Sequence, residues 1–138
     1  MAKDIMITED YVNFETAKLL KEKGFDKKCR AFYVKSKVCG IELFYPKEPY
    51  NYNDDVYPCT SAPTLQMTMK WLREEKHYYI QVMLDSWACG GHSGYYVTIQ
   101  KTDSDFEMML SDAVVEVFYQ TYEEACESAI KYSLENLV

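Results

Sequence analysis

Chemistry would be sought first at Cys89 and His92, inside the run WACGGHSGYY at 87–96. A thiolate and an imidazole at this spacing are two of the donors zinc uses, and equally a nucleophile with its base. A structural zinc site needs four donors, however, and no second pair stands at matching spacing; Cys39, Cys59 or His77 would have to converge from elsewhere. For catalysis no third group is recognisable to orient the imidazole, and a glycine-flanked turn holds side chains poorly. Gly90, Gly91 and Gly94 instead permit the positive φ angles of a hairpin loop. The pair is therefore expected at a hairpin tip without metal or cofactor, and a small Cys- or metal-dependent enzyme stands as an alternative.

The segment YPKEPYNYNDDVYPC at 45–59 offers recognition chemistry. Tyr45, Tyr50, Tyr52 and Tyr57 give large contact area at small entropic cost, and Asn51, Asn53, Asp54 and Asp55 can hydrogen-bond. The same tyrosines could lie on the protein's own aromatic surface. The N-x-N-D-D run resembles a calcium loop only superficially, because Val56 stands where that loop needs glycine and no glutamate closes it. Paired acids at Glu74-Glu75 and Glu123-Glu124 fall on helices, where solvation and the helix dipole account for them. Neither a Gly-rich phosphate loop nor a nucleophile elbow is present, so the chain does not read as an enzyme.

The elements that must position these residues follow from pattern. Asn13 caps a helix expected at 14–23, with Phe14, Ala17, Leu19 and Leu20 as its apolar stripe. RAFYVKS and VCGIELFY alternate as paired strands at about 30–36 and 38–45, before a long Pro- and Asn-rich loop to residue 61. Pro63 fits a first helical turn, which predicts a helix over 62–75. HYYIQVMLDSW and GYYVTIQK read as antiparallel strands joined by the ACGGHSG turn, DSDFEMMLSD fits either strand or helical turn, and VVEVFY at 114–119 is a further strand. Thr121 and Glu124 make a capping box for a final helix, with Glu127 and Lys131 expected to pair on its wet side. The result is one α+β domain over 1–138: a mainly antiparallel sheet of about five strands with helices on one face, ordered α-β-β-α-β-β-β-α.

Sorting each strand by alternation predicts an aliphatic face of Phe32, Val34, Ile41, Leu43, Ile80, Val82, Leu84, Val97, Ile99, Val115 and Val117. The opposite face carries Tyr33, Phe44, Tyr79, Met83, Tyr96 and Phe118 among polar residues. Open apolar area costs roughly 25 cal/mol per Å² relative to burial, so so many rings imply a cover. That cover is the chain's own N-terminal arm or long loop, a second copy, or a foreign protein. The partner-binding candidates are accordingly Tyr33, Phe44, Tyr79, Tyr96 and Phe118 on the sheet, with Tyr50, Tyr52 and Tyr57 on the loop.

Composition bounds the rest. With 138 residues, 48% apolar and 27% charged, the chain can bury a core without staples. Its net charge of −7 repels a phosphate backbone, and no basic run exceeds Lys27-Lys28 with Arg30 nearby, which speaks against nucleic acid. An acidic surface suits an alternative role as a nucleic-acid mimic held against a basic protein, with Asp54, Asp55, Glu123, Glu124 and Glu127 as the acids to cluster. Five cysteines in an odd set without CxxC spacing suit a reducing compartment, MAKDIMITED lacks an export core, and no membrane span is expected, so a bacterial cytoplasmic location is the expectation.

The stretches NFETAKLLKEKGFD, CTSAPTLQMTMKWLREE and TYEEACESAIKYSLENL, in this order, resemble small uncharacterised proteins encoded by phages and prophages of gut bacteria. The resemblance implies a setting, an accessory protein of a phage or prophage in a bacterial host, and carries no catalytic residue with it. Sequence alone thus points to a non-enzymatic protein acting through protein–protein contact, with itself or with a host protein.

Overall fold

Asn13 does what its position asks of it: its side-chain oxygen accepts the Thr16 N–H at 2.9 Å, and α1 runs Phe14–Glu22. The structure is a computed structural model that describes residues 6–54, 59–85, 94–105, 107–109 and 118–138. Helix α2 spans Leu65–Glu75 and starts later than its sequence suggests. Pro63 precedes the helix, and its carbonyl accepts the Val12 N–H at 3.0 Å, while the Thr64 hydroxyl caps α2 by accepting the Met67 N–H at 3.1 Å. Helix α3 spans Tyr122–Asn136, capped at Thr121, whose hydroxyl accepts the Glu124 N–H at 3.1 Å.

The architecture is α+β, with every strand pair among the described residues antiparallel. Among the described residues the strands form two sheets of three where pattern suggested one. The first joins β1 (Phe32–Ser36), β2 (Gly40–Phe44) and β3 (Cys59–Ser61) in the order β2-β1-β3; the second joins β4 (Tyr78–Asp85), β5 (Gly94–Lys101) and β6 (Glu107–Met109) in the order β4-β5-β6. Strand β3 comes from the end of the segment read as loop: three residues suffice because Thr60 and Ser61 are buried and pair with Tyr33 and Phe32.

The faces of the second sheet agree with the alternation at Ile80, which pairs with Ile99, and at Val82, which pairs with Val97, but Leu84, expected on the core face, lies near the strand end and is 59% exposed, and Thr98 of the opposite face is buried. The faces of the first sheet do not agree with it. The expected sorting needs a two-residue turn between β1 and β2; the turn has three residues, Ser36 pairs with Gly40, and Gly40 takes φ +74°. One extra residue exchanges the faces of β2. Ile41 and Leu43 therefore stand beside Lys35 and Tyr33, and Phe44 stands beside Phe32.

One core cluster joins the elements: Leu20 of α1, Phe25, Leu72 of α2, Val97 and Ile99 of β5, and Ala129, Ile130 and Leu134 of α3 are all buried. Helix α3 touches α1, α2, β4 and β5. Glu127 does not pair with Lys131; its carboxylate accepts the Asn13 N–H at 3.0 Å and the Thr16 hydroxyl at 2.6 Å, and Lys131 reaches Glu135 at 3.9 Å instead. Among the described residues no helix is long and apolar enough to cross a membrane.

Candidate docking surface

Hairpin β1–β2 gathers exposed apolar surface. Val38 at its tip is 93% exposed, Ile41 47%, Phe44 42%, and Tyr45 just beyond is 64% exposed. Strand β2 pairs with β1 on one side only, so among the described residues its other edge is free. Every second residue of such an edge turns its N–H and C=O outward, a template for another strand. Glu42 is the one charged side chain within β2.

One face of this sheet is an aromatic row. Phe32 stacks on Phe44 with centroids 5.5 Å apart and on Tyr52 at 4.3 Å, and Tyr50 meets Tyr52 edge-on at 5.3 Å. The long loop is thus partly its own occupant. It is fastened by Tyr50 and Cys29, which exchange backbone hydrogen bonds at 2.8 and 3.1 Å, and by the Tyr52 N–H, which donates to the Ser61 hydroxyl at 2.8 Å. Asn53 completes the fastening: its amide donates to the Phe25 carbonyl at 2.9 Å and its oxygen accepts the Ser61 N–H at 2.9 Å. Burial against this layer pushes the Cys29 thiol up to about 12, with the Ser61 contact opposing it, and raises the Tyr52 phenol and the Cys59 thiol.

Tyr33 lies on the other face, under the N-terminal arm. Its hydroxyl donates to the Val12 carbonyl at 2.7 Å, and its ring meets Phe14 edge-on at 5.6 Å. Burial, and secondarily the Glu127 carboxylate, raises its phenol above the ordinary range. Between arm and sheet lies an open hollow of about 550 Å³ walled by Tyr11, Tyr33, Tyr45, Leu43, Glu9 and Asp10. Tyr11 and Tyr45 stand 5.5 Å apart with planes 65° from each other, two walls of a corner rather than a stack. The arm is pinned by the Leu65 N–H, which donates to the Asp10 carbonyl at 2.9 Å, and by the Val12–Pro63 bond.

Tyr79 and Tyr96 belong to the second sheet. Tyr96 donates to Met83 Sδ at 3.4 Å and meets Phe118 edge-on at 6.3 Å; Tyr79 is exposed beside a hollow of about 390 Å³ with Gln100, Thr102 and Asp105. The seven described candidates therefore occupy several surfaces: Phe44, Tyr50 and Tyr52 share one, Tyr33 lies on the reverse of that sheet, and Tyr79 and Tyr96 belong to the other sheet, with Phe118 set against Tyr96. Tyr57, the Cys89–His92 turn and residues 114–117 of the expected last strand lie outside the described residues. Sequence reading did not single out Tyr11, because nothing local announces that the arm returns to Thr64.

Among the described residues no group of three or more His, Cys, Asp or Glu could hold a metal. Of the acids suggested for phosphate mimicry, Glu127 is turned toward α1 and Asp55 lies outside the described residues. A third hollow, beside Trp71 and Met67, is rimmed by compensated charges: Lys27 meets Glu75 at 2.7 Å and Lys70 meets Glu74 at 4.0 Å. Comparison of the chain with known protein families, with curated proteins and with solved structures finds no match.

Proposed function

We propose that this chain is a non-enzymatic binding module that takes an extended segment of another protein along the free edge of β2. The observation that carries the reading is the coincidence of a strand edge that is unpaired among the described residues with exposed Val38, Ile41, Phe44 and Tyr45. Strand addition draws affinity from main-chain hydrogen bonds and specificity from alternate side chains, and here Phe44 and Glu42 flank one side of the groove while Ile41 and Leu43 flank the other. A foreign segment fits better than a second copy: antiparallel self-pairing centred on the strand sets Glu42 against Glu42, and the net charge of −7 adds repulsion. A host protein met by a phage accessory factor is one setting for such a module, as the resemblance of the helical segments implies.

The test is selection of linear peptides from a random display library, followed by amide exchange on the complex. Selected peptides should protect backbone amides at 40–44, and Ile41→Lys, at a half-exposed position, should abolish binding without lowering Tm. Protection confined to other elements, or a concentration-dependent dimer protected at β2 without peptide, overturns the reading.

A further inference from the structure

We infer that the hollow between the N-terminal arm and the first sheet is a cation site, shaped for the lysine or arginine side chain of the segment docked on β2. The inference rests on the strand-addition reading above and names the chemistry of its partner. Leu43 and Tyr45, which line the hollow, lie on and just beyond β2, so a strand on that edge sends every second side chain toward this face.

The walls determine what such a side chain should be. Tyr11, Tyr33 and Tyr45 line the hollow with aromatic rings, a residue type whose π system attracts cations, and Glu9 and Asp10 supply two exposed carboxylates. Among the described residues no basic side chain lines the hollow. The lysine–ring contacts found among the described residues fall elsewhere, on Phe14, Trp71 and Tyr78, which leaves these three tyrosines without one there. Lys35 shares the face of Tyr33 one step toward the hairpin tip, pairs in register with Ile41 and does not line the hollow. A cavity of about 550 Å³ exceeds the need of a bare ammonium group and admits a long aliphatic stem with its charged head. Leu43 and the tyrosine rings suit the stem, and the carboxylates suit the head. The arm is already held by the Leu65–Asp10, Val12–Pro63 and Tyr33–Val12 hydrogen bonds, so binding need not order it.

The test uses the intact chain and small probes that need no strand addition: the N-acetyl methylamides of lysine, arginine and norleucine, titrated by NMR. Lysine and arginine probes should shift the ring resonances of Tyr11, Tyr33 and Tyr45, norleucine should not, and Glu9→Gln with Asp10→Asn should weaken the cationic probes by roughly tenfold at low salt. Equal shifts by norleucine, or none by the cations, overturn the inference. In a second arm, peptides selected against β2 should carry a recurrent basic residue and lose roughly tenfold in affinity for the same double variant. Peptides that bind at β2 with no basic preference sink the cation site while the edge reading stands; cationic probes that bind while no peptide engages β2 sink the edge reading while the cation site stands.

Discussion

The Glu127 carboxylate accepts the N–H of Asn13 at 3.0 Å across 114 positions of sequence. In a local capping box the third helical residue bonds back to the N-cap N–H. Here that residue is Thr16, which cannot reach, and α3 lends the acid instead while Thr16 adds its hydroxyl at 2.6 Å. Thr16 is buried, so removal of the carboxylate strands a polar group out of water. Glu127→Ala is expected to cost about 2 kcal/mol, and Glu127→Gln, which keeps an acceptor, less than half as much. Paired denaturant titrations check this; equal losses for both variants would mean that charge, not hydrogen bonding, carries the contact.

Two thiols make the stability of the fold sensitive to alkali. Burial raises Cys29 to about 12 and Cys126 to about 11, from 9.0 in the unfolded chain. Above pH 9 the unfolded thiols ionise while the buried ones stay protonated, so the unfolded state binds fewer protons and stability falls as pH rises toward 11. The slope is about 1.4 kcal/mol per pH unit for each thiol. Cys126→Ala should therefore flatten the stability curve between pH 9 and 11 by that amount, measured by urea unfolding at stepped pH. Peptide mapping after alkylation at neutral pH should find exposed Cys39 modified and Cys29 and Cys126 spared until the chain unfolds.

His77 sits just past α2 with φ 66°, a left-handed conformation that costs a residue with a Cβ about 1 kcal/mol. Its carbonyl accepts the Thr102 N–H at 2.7 Å, which any residue can provide. His77→Gly is expected to raise stability by about 1 kcal/mol and Tm by a few degrees in a thermal scan. A lower Tm would show that the exposed imidazole makes a contact worth more than the strain.

Sequence made the helices legible because their signals are local: Asn13 and Thr121 cap the helices they open, and the spacing of Ala129, Ile130 and Leu134 marks a buried face. The faces of β4 and β5 were legible for the same reason at Ile80, Val97 and Ile99, though not at Leu84, which is exposed, or at Thr98, which is buried. The first sheet was misread by one turn residue, since alternation within a strand is silent about how many residues separate it from its neighbour. Gly40 was the available clue, as three-residue hairpin turns place a left-handed residue at that point. The Tyr11 corner and the Glu127 cap had no local trace, because each depends on segments meeting across most of the chain.

Helix α3 covers β4 and β5 and also supplies the acid that seals the start of α1. During synthesis, then, none of these three earlier elements can be finished until residues 122–136 have left the ribosome. Over that interval the part of β4–β5 that α3 covers stays open to water, beside the part of β4 that α2 already meets.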